Sequence, residues 1–357
     1  MNNRKGIYYW KCDRPSAFHA LDAGGHRKTS ARFEEQLHAV LHSHFGNSDY
    51  SIRPSGSQGN HIAFIVNHAD HAYFFRIENG PEGDNYMEVE AEILNRVRRT
   101  GVPTPAVYAV DAGRQVYPFA YQLIEYINHP DINTLLKDKG IREEQIAVQA
   151  GACIAHYQDI KTEGFGLFDP AELRKNKKLV GLNNNYADYF HLNLGSHINF
   201  LIDKHFLNKQ EVIDIWKAIE RGSGLLELGT GCLVHKDMAL WNMLGTTDSI
   251  TAIIDWDDAI SGDPVDDISL LACFHSGEFI NLVLEVYKQV KELPDNFLPR
   301  FWLHLLRNMI VKSVIRVGAG YFELKDDFFL IGSGKSGESL KKFTKDRIHL
   351  AILGLEN

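Results

Sequence analysis

The residues best suited to chemistry lie in one stretch, residues 233–267. Asp237 and Asn242 follow a short apolar run in the order H-x-D-x-x-x-x-N, and Asp255 follows a second apolar run. Because a turn at 245–249 separates the two runs, the two carboxylates and the amide are predicted to meet. Phosphoryl transfer needs such a set: one carboxylate to take a hydroxyl proton, and an amide with a second carboxylate to hold Mg²⁺ on a nucleotide.

This stretch resembles the aminoglycoside phosphotransferase and choline kinase-like family, the small-molecule branch of the protein-kinase-like fold. The family pattern is H-G-D-x-x-x-x-N, then I-D-W/F, then G-D-P. The chain matches it at His235, Asp237, Asn242, Asp255, Trp256, Gly262, Asp263 and Pro264.

The resemblance implies a role for each matched polar residue. Asp237 is expected to orient the acceptor hydroxyl and take its proton, and His235 to brace the catalytic loop. Asn242 and Asp255 are expected to bind Mg²⁺, and Asp267 to hydrogen-bond the loop from below. The chain departs from the pattern at Lys236, where Gly is usual, and this puts the local shape of the loop in question.

The nucleotide is expected at a β-hairpin over residues 50–79. Small residues in its loop would let backbone N–H groups approach phosphate oxygens, and the family places this loop over the ATP phosphates. The only cationic residue between Arg53 and Arg96 is Arg76, on the return strand, where the family grips the α- and β-phosphates. The candidate loop residues are Ser57, Gln58, Gly59 and Asn60.

A helix over residues 85–99 should supply the ion-pair partner of Arg76. Glu90 shares a helix face with Leu94 and Val97, and the family spacing assigns it this role, with Glu88 or Glu92 as alternatives. The resemblance also places the adenine edge against backbone groups that link the two lobes.

By position, these linking groups belong to Glu125, Tyr126 and Ile127.

The predicted fold class is α+β, with two lobes as in protein kinases. The first lobe is expected to hold a five-stranded antiparallel β-sheet with a helix, and the second to be mainly helical. We expect an N-terminal extension over 1–28, the nucleotide-binding lobe over 29–127 and the catalytic lobe over 128–357. The extension is rich in aromatic residues and is expected to pack on the first lobe or on a second subunit.

Composition narrows the range of partners. The 357 residues carry a formal net charge of −8, which disfavours a large basic surface for nucleic acid. No apolar run approaches the length of a membrane span. Four scattered cysteines without a Cys-x-x-Cys pair are typical of reduced thiols, so the chain is expected in the cytoplasm. A monomer or a homodimer is expected.

The reaction expected is transfer of the γ-phosphate of ATP, with GTP as the alternative, to a hydroxyl of a small molecule with Mg²⁺. The acceptor stays open between an aminoglycoside or amino sugar, a neutral sugar or amino alcohol, and a lipid or protein. Acidic residues near the motif (Asp257, Asp258, Asp263, Asp266 and Glu278) would suit a cationic acceptor. A nucleotide-binding pseudokinase and a metal-dependent hydrolase are the other function classes.

Overall fold

A computed structural model describes residues 4–16, 31–56, 61–138, 141–324 and 337–356. Its helices are α1 Trp10–Asp13, α2 Ala31–Phe45, α3 Met87–Arg99, α4 Ile132–Lys137, α5 Glu143–Tyr157, α6 Pro170–Asn176, α7 Tyr186–Phe190, α8 Leu194–Asp203, α9 Lys209–Arg221, α10 Val265–Leu271, α11 Gly277–Val290, α12 Phe297–Gly318 and α13 Glu338–Gly354. Its strands are β1 Tyr50–Pro54, β2 Ile62–His68, β3 His71–Glu78, β4 Val107–Asp111, β5 Ala120–Glu125, β6 Lys161–Thr162, β7 Phe165–Phe168, β8 Gly181–Asn183, β9 Gly231–Val234, β10 Met243–Gly245, β11 Ile250–Ile253 and β12 Ile260–Gly262.

The first lobe is built on the predicted five-stranded antiparallel sheet, with strand order β1-β2-β3-β5-β4. Alternation along β3 places Phe75 and Ile77 on the face covered by α2, where they pack with Leu37 and Leu41. Arg76 points to the opposite face, and it pairs in register with Gln122 of β5. The period of two therefore separates an apolar face from the face that carries the charged site.

The second lobe is mainly helical, as expected, but it also contains a five-stranded sheet in the order β6-β9-β12-β7-β8. The sequence predicted a loop at 164–166, whereas β7 begins at Phe165 and pairs with both β12 and β8. Such short strands show no periodicity of their own and depend on distant partners. A separate two-stranded hairpin, β10 and β11, carries the motif that the sequence singled out.

The N-terminal segment 4–16 packs largely on the second lobe, not on the first as expected. The Tyr189 hydroxyl donates to the carbonyl of Tyr8 at 2.8 Å, and Asp13 bonds His197 at 2.7 Å. One ion pair, Arg4 to Asp84, reaches the loop before α3. Because Tyr8, Tyr9 and Trp10 are buried, the segment is part of the hydrophobic core.

Among the described helices, none combines the length and the apolar character that crossing a membrane requires.

Candidate active site

The loop after β9 is fixed by hydrogen bonds from three sides. The Asp267 carboxylate accepts the backbone N–H of His235 at 2.8 Å and that of Lys236 at 2.9 Å, as expected. His235 Nε2 bonds the Ile254 carbonyl at 3.0 Å, and its Nδ1 accepts the backbone N–H of Asp237 at 3.2 Å. Burial lowers the pKa of His235 to about 4, so the ring is neutral near pH 7 and serves as a brace.

Lys236 keeps the shape of a loop in which the family has Gly. Its φ of +69° lies in the left-handed region that Gly adopts without strain. Its side chain is buried, and Nζ donates to Asp266 at 2.7 Å, to Tyr8 at 2.9 Å and to Asn308 at 3.0 Å. The ammonium thus connects the loop to α10, to α12 and to the N-terminal segment, and these contacts offset an unfavourable backbone conformation.

Asp237 is held between an amide and an ammonium. Its Oδ2 accepts from Asn242 Nδ2 at 3.0 Å, and its Oδ1 accepts from Lys312 Nζ at 2.8 Å. Burial alone would raise the pKa of Asp237, but Lys312 and the Tyr9 hydroxyl lower it to about 2. The carboxylate is therefore ionised at neutral pH and retains lone pairs that can accept a further hydroxyl.

The hairpin β10–β11 brings Asn242 and Asp255 to the same end. Met243 pairs with Ile253, and the Ile254 N–H donates to the Asn242 carbonyl at 2.9 Å. Gly245 permits the tight turn, since a Cβ there would lie 2.4 Å from the carbonyl oxygen of Ser249. Because the Asn242 amide nitrogen is bonded to Asp237, its Oδ1 is left as a possible metal ligand.

The charges near Asp255 suit a divalent cation. Burial and repulsion by Asp257 raise the pKa of Asp255 well above its usual range, against the opposite effect of Arg76. A cation would relieve this repulsion, and carboxylate and amide oxygens are ligands that Mg²⁺ accepts. The described residues contain no cluster of three or more His, Cys, Asp or Glu side chains placed for a metal. Mg²⁺ on a nucleotide needs only one or two protein ligands, because phosphate oxygens supply others.

Arg76 and Glu90 form the predicted ion pair across the first lobe. Arg76 NH1 donates to both carboxylate oxygens of Glu90, at 2.8 and 2.9 Å, and both side chains are buried. The two alternative partners are engaged elsewhere, Glu88 with Arg174 and Glu92 with Arg96. Burial alone would lower the pKa of Arg76, but Glu90 and Asp255 raise it.

The Arg76–Glu90 ion pair also contacts the chain just after the hairpin β10–β11. Glu90 Oε1 accepts the backbone N–H of Trp256, the residue after Asp255, at 3.2 Å. Arg76 NH2 bonds His61 Nδ1 at 2.9 Å, and NH1 also lies 3.5 Å from Gln122 Oε1. A candidate phosphate-binding cation of the first lobe and a candidate metal ligand of the second are thereby held in one network.

The residues predicted to contact the nucleotide phosphates and the adenine base lie in two other places. Ser57, Gln58, Gly59 and Asn60 lie outside the described residues. Glu125 ends β5, where its N–H donates to the Ala106 carbonyl at 2.8 Å, and Ile127 follows two residues later in the connection between lobes. The Glu125 side chain bonds the Ala106 N–H at 3.0 Å. The adenine contact stays a prediction about backbone groups.

The acidic residues that the sequence placed on the acceptor side do not line the cleft beside Asp237. Asp263 is buried against Arg300 and His304, and Asp266 is buried against Lys236 and Asn308. Their charges are neutralised inside the lobe and cannot attract a cationic acceptor. Asp257 and Asp258 are buried, and Glu278 is exposed in the first turn of α11. The lining of this cleft therefore does not include the acidic residues that suggested a cationic acceptor, and the identity of the acceptor stays a prediction.

The cleft beside Asp237 has a different lining. Residues of the N-terminal segment and of the second lobe line a small cavity of about 60 Å³ that opens to solvent. They are Tyr9, Lys11, Asp237, Trp241, Phe274, Lys312, Ile315, Arg316 and Tyr321.

The comparisons with known proteins identify the family. The sequence model of the phosphotransferase enzyme family, APH, matches residues 51–296. The chain belongs to this family. A search of the curated proteins finds no match. The fold is the two-lobed, protein-kinase-like fold that the sequence predicted, since solved structures of that architecture align with nearly the whole chain.

Three of the solved structures illustrate the likeness of this phosphotransferase family member. A putative fructosamine-3-kinase from Thermobifida fusca is 17% identical, with a TM-score of 0.60 over 88% of this chain and 98% of that one. A thermostable mutant of aminoglycoside phosphotransferase APH(4)-Ia, solved with AMP-PNP and hygromycin B, is 16% identical, with a TM-score of 0.59 over 89% of this chain and 98% of that one. A putative aminoglycoside phosphotransferase from Ralstonia eutropha JMP134 is 14% identical, with a TM-score of 0.59 over 90% and 97%.

Sequence reasoning missed the side chains that surround Asp237 in this family member. Tyr9 lies in an aromatic run whose role could not be read from the sequence. Lys312 belongs to no motif, but Arg316 follows it by four residues in the largely buried helix α12, so the two cations share one helix face. Two cations on one face of a buried helix are the signal that could have identified Lys312.

Proposed function

We propose that the protein transfers the γ-phosphate of ATP, or of GTP, to a hydroxyl of a small molecule. The single observation that supports this best is the network from Arg76 and Glu90 to the Trp256 N–H, beside Asp255. It joins a candidate nucleotide-phosphate group to a candidate metal ligand. The proposal keeps residues 29–127 as the nucleotide lobe, residues 128–357 as the catalytic lobe and the cytoplasm as the location.

Each residue has a distinct task in this proposal. Arg76, oriented by Glu90, binds the nucleotide phosphates, and backbone groups from Glu125 to Ile127 bind the base. Asn242 and Asp255 would hold Mg²⁺, which neutralises charge on the β- and γ-phosphates when bound. His235 keeps Asp237 in place through the Asp237 N–H.

Asp237 acts by position more than by basicity. Its pKa of about 2 makes it a weak base, yet its carboxylate can accept the hydrogen of an acceptor hydroxyl and direct the oxygen at phosphorus. In a loose phosphoryl-transfer transition state the hydroxyl keeps its proton until late, so orientation supplies most of the effect. The proton then passes to a free lone pair of a carboxylate whose two oxygens are hydrogen-bonded to Asn242 and to Lys312.

The test is an Asp237→Asn variant compared with wild type on a panel of sugars, amino alcohols and aminoglycosides, with ADP release as the readout. Asparagine preserves the shape, but it has no charge and only one acceptor oxygen, so it orients the hydroxyl poorly and cannot take the proton; turnover should fall by roughly 10²–10⁴. Nucleotide affinity, measured by calorimetry, should stay unchanged. Turnover within about threefold of wild type would contradict the role of Asp237, and absence of ADP release with every acceptor would favour a pseudokinase.

A further inference from the structure

The acceptor cleft is cationic. Lys11, Lys312 and Arg316 line it, and Asp237 is the one carboxylate among the lining residues named above, so three positive charges face one negative charge. Lys312 is already paired with Asp237, whereas Lys11 is exposed at the mouth of the cleft. A cationic acceptor entering this cleft would meet repulsion, and an anionic one would meet attraction.

Arg316 is the most informative of these residues. Its side chain is buried, and the acceptors of its hydrogen bonds are neutral: the Thr344 hydroxyl at 2.8 Å and the Cys273 carbonyl at 3.2 Å. Burial lowers its pKa to about 10, so it remains charged at neutral pH. A buried guanidinium is costly unless an anion compensates it, and the open side of the cleft is where such an anion can enter.

The cleft belongs to the acceptor and not to the nucleotide. Its lining comes from the N-terminal segment and the second lobe, whereas the nucleotide phosphates are assigned to Arg76 on β3. Asp237 forms one wall, so a ligand here reaches the group that is proposed to orient the acceptor hydroxyl. The remaining walls are the aromatic faces of Tyr9, Trp241, Phe274 and Tyr321, with Trp241 and Phe274 edge to face at 4.8 Å.

We propose that the acceptor is an anionic hydroxyl compound, a sugar acid or a phosphorylated sugar, whose negative group binds Lys11 and Arg316 while its hydroxyl faces Asp237. The aromatic walls suit the flat faces of a sugar ring. The N-terminal segment thus completes the acceptor site by supplying Tyr9 and Lys11. This inference rests on the proposed function, because it assigns the acceptor of that same reaction.

The test uses four probes with one sugar ring and different charges: glucose, glucosamine, glucuronate and glucose 6-phosphate. Each is titrated calorimetrically into the full chain saturated with Mg²⁺ and the analogue AMP-PNP. At least one anionic probe should bind about tenfold or more tightly than glucose, and glucosamine should bind most weakly. The anion that binds more tightly, glucuronate or glucose 6-phosphate, shows whether the negative group of the acceptor is a carboxylate or a phosphoryl group.

The variant Lys11→Glu localises the effect, because Lys11 is exposed and its replacement should not affect folding. It should weaken binding of the preferred anion by about tenfold and leave glucose and Mg·AMP-PNP unchanged. Lys217→Glu, an exposed lysine of α9 outside the cleft, makes the same change in net charge and should change nothing.

Several results would overturn the proposal. The proposal fails if neither anion binds more tightly than glucose, or if glucosamine binds more tightly than the anions. It also fails if Lys11→Glu and Lys217→Glu change the binding of the preferred anion equally. Weaker binding of Mg·AMP-PNP to Lys11→Glu would also overturn it, because the cations would then serve the nucleotide. Failure of the proposed function looks different: the wild type would release no ADP from Mg·ATP with any acceptor of the panel, whichever of the four sugars binds most tightly.

Discussion

Replacing Lys236 by Gly restores the residue that is usual at this position in the family and sets two effects against each other. Glycine removes the strain of a left-handed backbone, which costs roughly 1–2 kcal/mol for a residue with a Cβ. The same change removes the ammonium that pairs with the buried carboxylate of Asp266. Breaking a buried pair from one side costs about 3–5 kcal/mol, so the net loss should be about 1–4 kcal/mol.

Urea unfolding followed by tryptophan fluorescence measures this loss as a lower midpoint for Lys236→Gly. Lys236→Met keeps the backbone strain and should be less stable than the glycine variant. Adding Asp266→Asn to Lys236→Gly removes the uncompensated charge and should recover part of the stability. If Lys236→Gly is as stable as wild type or more stable, the buried pair does not compensate the strained backbone, and the reasoning fails.

Three further predictions follow from the ion pairs and the metal site. Arg76→Ala/Glu90→Ala should be little worse than the more damaging single variant in kcat/KM for ATP, because the two act as a unit; additive losses would contradict this. Asp255→Ala should abolish the stabilisation by Mg·ATP in a thermal-shift assay, whereas Asp70→Ala, at an exposed turn, should keep it. Burial would raise the pKa of Asp263, but His304 and Arg300 hold it at about 2, below the unfolded value of about 3.9. The ionised Asp263 therefore contributes its full stabilisation above about pH 4 and loses it toward pH 2. Asp263→Asn should unfold at a lower temperature than wild type at pH 7, and its melting temperature should change less between pH 4 and pH 2. A melting temperature that falls as steeply with pH as that of wild type would contradict this prediction.

The motif residues could be predicted because local chain geometry alone determines their positions. Asp237, Asn242 and Asp255 lie on one loop and one hairpin, so spacing and turn chemistry were enough to bring them together. The Arg76–Glu90 pair was also predictable from side-chain periodicity. The alternation along β3 places Arg76 opposite the apolar face, and the helical repeat of 3.6 residues places Glu90 on the face of α3 that carries Leu94 and Val97.

The lining of the acceptor cleft could not be predicted, because it depends on contacts between distant parts of the chain. Tyr9 and Lys312 meet at Asp237 although about 300 residues separate them in sequence. The acidic residues near the motif suggested a negative cleft, but sequence does not show that Arg300 and Lys236 neutralise them inside the lobe. The lysine at position 236 illustrates the same limit, since its partners lie on α10, α12 and the N-terminal segment.

Transfer of labelled phosphate to an acceptor tests the central claim most directly. ATP carrying heavy oxygen in its γ-phosphoryl group is incubated with the protein, Mg²⁺ and the acceptor panel, and the products are analysed by mass spectrometry. The account predicts a phosphate ester that carries the label on the acceptor, together with ADP, and no ester with Asp237→Asn. Label found only in inorganic phosphate, or an equal yield of ester from Asp237→Asn, would contradict it.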